Sequence, residues 1–123
     1  MKLNREISSN LLLIASYDAG SFTLDGKRHE SSLIVTPETV QAWPVRGFAA
    51  LTAQSLDAVC ALKPALVLIG TGTRQHFPAP AVLRPLIEAR IGFEIMDTGS
   101  ACRTYNLLAG EGRSVAAALL LDA

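Results

Sequence analysis

The sequence predicts one α/β domain in which a mixed, largely parallel sheet is covered by helices and preceded by an antiparallel hairpin. Three observations predict it. In the second half, strand-like segments at residues 65–69, 93–96 and 115–121 alternate with stretches of helical period. Strands that alternate with helices enter a sheet in parallel, through right-handed crossovers. Asp25-Gly26 separates two short strand-like segments, and that pair favours the positive φ angles of a two-residue hairpin turn. Half of the 123 residues are hydrophobic but only 6% are aromatic, which suits a closely packed core of Leu, Ile, Val and Ala.

Each element follows from its local pattern. Residues 11–15 read as a short buried strand. Phe22-Thr23-Leu24, the Asp25-Gly26 turn and Lys27 onward make the hairpin, whose return strand runs through Leu33-Ile34-Val35 and stops at Thr36-Pro37. Pro37-Glu38-Thr39-Val40 reads as a short helical turn, and Trp43-Pro44 marks a break. Leu51, Leu56, Val59, Cys60 and Leu62 recur at helical spacing across residues 50–62, and Pro64 ends that helix. The apolar run at 65–69, bounded by Gly70, has the character of a strand buried on both faces. Pro80 suits the first position of the next helix, where its missing N–H costs nothing. Val82, Leu83, Leu86, Ile87 and Ile91 continue that helix until Gly92 closes it. Residues 93–96 form a strand, and Ala101, Cys102, Tyr105, Leu108 and Ala109 trace one face of a helix. Gly110-Glu111-Gly112 then turns the chain into a last strand at 115–121.

Composition excludes several classes of function. A chain of this length buries roughly two-thirds of its unfolded surface, so it needs no disulfide or metal staple. Cys60 and Cys102 are too few for a disulfide framework and read as free thiols of a reducing compartment. His29 and His76 are distant, with no Cys or Asp at ligand spacing, so both read as surface residues and no metal site is expected. The 11 basic and 11 acidic residues cancel, whereas a nucleic-acid binder carries a basic excess. Met1-Lys2-Leu3-Asn4-Arg5-Glu6 lacks the apolar run of a secretory signal. The apolar stretches at 11–15 and 115–121 fall well short of the roughly 20 residues that cross a bilayer. The expectation is a soluble, cytoplasmic domain without a nucleic-acid partner, without direct membrane insertion and without a cofactor.

Two loops carry the candidate binding residues. Gly70-Thr71-Gly72-Thr73-Arg74 follows a strand and leads toward a helix, where backbone N–H groups and an Arg fork would meet a phosphate or another anion. The third glycine of a dinucleotide fingerprint and the Gly-Lys-Ser/Thr of a P-loop are both missing, so the plainer reading is a tight turn that needs Gly for its backbone. Asp97-Thr98-Gly99-Ser100 ends the next strand, and Asp97 or Thr98 would there cap the following helix. In a parallel sheet both loops lie at the carboxyl ends of strands, where open α/β folds place ligands. Arg74, Asp97, Thr98, Ser100 and Arg103 would then line one small polar pocket.

Catalytic and partner-binding candidates are fewer. Cys102 sits in the first turn of its helix beside Arg103, with His76 as a conceivable base, although a packed, unreactive thiol is the plainer reading. Asp97-Thr98-Gly99 matches the nucleophile turn of aspartic proteases, but such enzymes need two carboxylates sharing a proton and this tripeptide occurs once. Trp43, with Val45 and Phe48 nearby, either closes the edge of the core or, if exposed together with Phe48 and Phe77, anchors a partner.

Leu68-Ile69-Gly70-Thr71-Gly72-Thr73-Arg74-Gln75-His76-Phe77-Pro78 and Met96-Asp97-Thr98-Gly99-Ser100-Ala101-Cys102-Arg103-Thr104-Tyr105-Asn106 are specific when found together. With Ala109-Gly110-Glu111-Gly112-Arg113, Ile34-Val35-Thr36-Pro37 and Tyr17, they resemble the complex I assembly factor 3-like family from about residue 14 to 121. Its bacterial members are usually small proteins of unknown function. The resemblance implies a three-layer α/β fold and, from the mitochondrial relatives, a role in building the peripheral arm of the respiratory NADH dehydrogenase. It supplies no catalytic residues. A non-enzymatic interaction protein whose partners include NADH dehydrogenase subunits is thus the first expectation, with a homo-oligomer compatible with it. An anion- or nucleotide-binding domain and a thiol enzyme using Cys102 and His76 are the alternatives.

Overall fold

The computed structural model describes residues 11–123; residues 1–10, on which the reading of the N-terminus rests, lie outside them. Three strands make a small antiparallel sheet: β1 (Ile14–Asp18), β2 (Ser21–Leu24) and β3 (Lys27–His29), in that order. The β2–β3 turn is the expected Asp25-Gly26, with φ of 54° and 72°.

The main sheet holds β4 (Leu33–Val35), β5 (Val40–Ala42), β6 (Leu66–Gly70), β7 (Gly92–Met96) and β8 (Val115–Leu119), ordered β5-β4-β8-β6-β7. β6, β7 and β8 run parallel, and β4 pairs antiparallel with both β5 and β8. Helices α1 (Asp57–Ala61), α2 (Pro80–Glu88) and α3 (Thr98–Gly110) connect them.

The central strand shows how the layers form. Val115, Ala117, Leu119 and Leu121 face one core, shared with Ala101, Tyr105 and Ala109 of α3 and with Phe22 and Leu24 of the small sheet. Ala116, Ala118 and Leu120 face the other, shared with Trp43, Leu56, Val59 and Leu86. Because every residue of β8 is buried, its sequence has no polar alternation. Layered on the main sheet are thus α1 and α2 on one side, with α3 and the small sheet on the other.

Five expectations are corrected. β1 begins at Ile14, so only part of residues 11–15 is strand. The hairpin's return strand ends at His29, and Leu33-Ile34-Val35 is a separate strand in the other sheet. Ser32 makes that crossing: its carbonyl accepts from the Trp43 N–H (2.8 Å) and its hydroxyl from the Leu121 N–H (3.0 Å). The segment at 37–40 is no helical turn, because the Thr36 hydroxyl takes the N–H groups of Glu38 and Thr39 (3.2 and 3.0 Å) and diverts the backbone into a side-chain turn. The helix expected at 50–62 shrinks to α1 preceded by 3-10 turns, since Thr52 and Ser55 bond each other at 2.9 Å and break the ladder. Gly92 opens β7 instead of closing α2, and Arg90, at φ 58°, makes the left-handed closure.

Candidate functional site

The carboxyl ends of β6, β7 and β8 meet where a ligand crevice was expected, and hydrogen bonds among their own groups fill it. Thr98, the first residue of α3, is fully buried. Its hydroxyl accepts from the Gly72 N–H (2.8 Å) and donates to the Leu120 carbonyl (2.7 Å), while its own N–H reaches the Gly72 carbonyl (2.8 Å). One threonine therefore ties the ends of three parallel strands. Gly70 is required because a Cβ there would lie 2.9 Å from the Thr98 Cα.

Asp122 completes the knot, and it was absent from the sequence-based candidates. Its carboxylate accepts from the Thr73 N–H (3.0 Å) and hydroxyl (2.6 Å). These bonds hold its carboxyl below the ordinary carboxylate value, with the nearby His76 contributing less. Gly72 sits at φ 105°, and any side chain there would run into the same carboxylate. An anion approaching this glycine-rich turn thus finds Thr73 occupied by an internal carboxylate. The only sequence signal for Asp122 is that it follows the last apolar run and so leaves the sheet at the same end as Gly70.

The second loop is a helix cap. Asp97 accepts from the Ser100 N–H (2.9 Å) and hydroxyl (2.8 Å), and both bonds lower its carboxyl's pKa. Arg103 donates to the Ser100 hydroxyl (3.2 Å). Arg74 is exposed, its carbonyl taken by the Thr71 hydroxyl (2.8 Å). No hydrogen bond or ion pair among the described residues joins Arg74 to Asp97, Ser100 or Arg103.

Cys102 is 5% exposed, and burial pushes its thiol up to about 12 against the weaker opposing effect of Arg103. That is the reverse of an activated nucleophile. It borders a cavity of about 220 Å³ shared with Tyr17, Gly99, Arg103 and Asn106. His76 instead stacks on Phe48, with ring centroids 4.8 Å apart, and Asp122 feels its charge. The Asn106 amide clamps Ile14, accepting from its N–H and donating to its carbonyl at 2.8 Å each, as a neighbouring strand would.

Trp43 lies in the core at 2% exposure, its indole N–H donating to the Ser55 carbonyl (2.9 Å), so it offers nothing to a partner directly. Phe48 is half-buried against the cluster that holds Trp43. Phe77 stands 75% exposed. His29 pairs opposite Phe22 in the small sheet and is half-buried. Among the described residues no three His, Cys, Asp or Glu side chains gather as a metal site would require.

A larger groove, about 440 Å³, opens at the opposite end of the sheet, between the Thr36–Thr39 turn, Leu62, Pro64 and the segment following α3. Sequence reasoning missed it because its walls come from four separate stretches, two of which, around Thr36-Pro37 and Ala109–Arg113, were read only as marks of the family.

Comparison with known proteins places this geometry. Residues 14–120 match the family described as a protein of unknown function (DUF498/DUF598). The chain belongs to this family. A bovine relative named NADH dehydrogenase (ubiquinone) 1 alpha subcomplex assembly factor 3 is 35% identical over 120 residues, 96% of this chain and 65% of the bovine protein. The chain therefore spans less than two thirds of that relative's length. A Francisella tularensis relative named a 13 kDa major membrane protein is 27% identical over 122 residues, covering 98% of this chain and 99% of its own. The crystal structure of a Bordetella parapertussis protein superposes with a TM-score of 0.85 at 40% identity, covering 91% of this chain and 97% of that one. The family resemblance and the three-layer α/β fold it implied are both borne out. No helix among the described residues is long and apolar enough to cross a membrane.

Proposed function

We propose that this chain is a protein-interaction domain serving the assembly of a respiratory NADH dehydrogenase complex. The observation that carries the reading is the match along 96% of the chain, at 35% identity, to a bovine protein named as an assembly factor for that enzyme. Local chemistry supports it. The glycine-rich turn that would serve an anion holds the Asp122 carboxylate, and the Cys102 thiol is held protonated by burial. Phe77, by contrast, is an exposed aromatic following the His76 that stacks on Phe48. A large ring standing free beside a partly desolvated pair is the kind of anchor that dominates binding energy at protein interfaces.

The partners in this reading are NADH dehydrogenase subunits, and the contact surface centres on Phe77 and Phe48. Co-purification of the tagged protein from its native cells, followed by mass spectrometry, tests it. The expected result is enrichment of NADH dehydrogenase subunits that drops at least about tenfold for Phe77→Ala, the loss typical of a hot-spot aromatic. Recovery of the protein alone would refute the assembly role, and equal enrichment with Phe77→Ala would refute the assigned surface.

A further inference from the structure

The 440 Å³ groove at the amino-terminal ends of the parallel strands goes beyond the assembly reading and stands without it. Its volume lies within the range of small-ligand sites. Leu11, Pro37, Leu62 and Pro64 supply apolar wall, and Leu62 remains exposed although it is a large aliphatic side chain.

The polar side of the groove is a set of donors without acceptors among the described residues. Thr36 and Thr39 hydroxyls lie 2.8 Å apart, and the Thr36 oxygen also accepts two backbone N–H groups. Two hydroxyls sharing one bond leave one proton over. The Ser114 oxygen accepts from the Ala65 N–H (3.1 Å), which leaves its own proton free to donate. Arg113 is exposed, and among the described residues its guanidinium has no carboxylate within ion-pair distance. The last-turn carbonyls of α3 do not offset these donors, because those of Leu107, Leu108 and Ala109 are taken by the N–H groups of Glu111, Gly112 and Arg113.

An apolar trough ending in hydroxyl donors and a guanidinium is complementary to a single negative charge on an aliphatic tail. Glu38 on the rim adds one carboxylate, which disfavours a doubly charged head such as a phosphate monoester. We infer that the groove binds a free medium-chain aliphatic carboxylate, with the head at Arg113, Ser114 and Thr39 and the tail along Leu62, Pro64 and Leu11.

Titration of the ¹⁵N-labelled full chain with octanoate, decanoate and uncharged 1-octanol, all below their aggregation limits, tests this. Saturable shifts should centre on residues 36–39, 62–65 and 112–115. Decanoate should bind about tenfold more tightly than octanoate, since a buried methylene is worth roughly fourfold and the groove is open on one side. Arg113→Gln, an exposed change that leaves the fold intact, should weaken octanoate about three- to tenfold and leave 1-octanol unchanged. Absence of saturation overturns the proposal. So do shifts spread equally over Phe77 and Leu107, which would mark detergent-like adsorption, and an Arg113→Gln protein that binds octanoate as well as the parent. Sedimentation with phosphatidylglycerol vesicles separates the remaining source. Binding to vesicles that excess decanoate does not displace, without groove shifts from free decanoate, would mean lipid-surface attraction and overturn the proposal.

Discussion

Replacing Thr98 with valine keeps the side chain's shape and deletes one hydroxyl at the point where three strand ends converge. In the native protein that hydroxyl accepts from the Gly72 N–H at 2.8 Å and donates to the Leu120 carbonyl at 2.7 Å, at a residue with no exposed surface. The variant leaves one backbone donor and one backbone acceptor buried without partners. Each costs about 1–3 kcal/mol, and the added methyl returns at most about 1 kcal/mol of apolar burial. The expected loss is therefore about 3 kcal/mol. For a domain of this size that corresponds to a fall in Tm of about 12 °C, taking roughly 4 °C per kcal/mol. In urea the midpoint should fall by about 2 M if the slope is about 1.5 kcal/mol per molar. Thr98→Ser is the control. It keeps the hydroxyl, removes one methyl, and should cost only about 1 kcal/mol. The assay is equilibrium urea unfolding followed by circular dichroism and by tyrosine and tryptophan fluorescence. If Thr98→Val costs no more than Thr98→Ser, the hydroxyl is not what ties the strand ends together and the reasoning fails.

Two further outcomes rest on the same knot. Gly72→Ala should cost about 2–4 kcal/mol, because a Cβ at φ 105° meets the Asp122 carboxylate and forces Thr73 off it. Gly112→Ala, at φ 80° but facing open space, should cost only about 1 kcal/mol, and equal thermal shifts for the two would argue against a clash. Asp97 and Asp122 are both held below the ordinary carboxylate value of 3.8 by bonds to Ser100 and Thr73. The unfolded chain therefore takes up these protons first, so stability is constant well above 3.8 and declines as pH falls below it through the folded values. Asp122→Asn should flatten part of that acid decline in urea unfolding across pH 2–6, and an unchanged slope would remove Asp122 from the account.

The features legible in the sequence are those that one stretch of chain decides by itself. Asp25-Gly26 specified its hairpin because the positive φ angles are a property of those two residues. Pro80 specified the start of α2 because a missing N–H costs nothing at the first helical position. Two of the parallel strands, β6 and β8, were legible because burial on both faces leaves a continuous apolar run. Leu33-Ile34-Val35 was misassigned because such a run reads equally well as a return strand or as a strand of another sheet. The choice is made at a distance, by the Ser32 hydroxyl meeting the Leu121 N–H. Of the candidate site, the Asp97 cap lay within three residues of its partner and was readable. Thr73 and Asp122 are 49 residues apart, and nothing local to either announces the other.

The two ends of the main sheet differ for one reason, the direction in which β8 leaves it. β8 lies between β4 and β6 and runs parallel to β6, so its continuation delivers Leu120 and Asp122 to the end where Gly70 and Thr98 emerge. The Gly70 carbonyl accepts from the Leu120 N–H at 2.9 Å, and the Asp122 carboxylate takes both Thr73 donors. Ligands of parallel α/β sheets ordinarily occupy that crevice, and here an internal strand extension holds the polar groups they would need. At the other end the turn of Thr36 and Thr39 and the segment of Arg113 and Ser114 face a groove with hydroxyl protons and a guanidinium that no acceptor among the described residues takes. The physical expectation follows from the partners of these donors: substitutions at Thr73 or Thr98 should register as lost stability, whereas a change at Arg113, exposed and without a carboxylate in ion-pair distance among the described residues, should not.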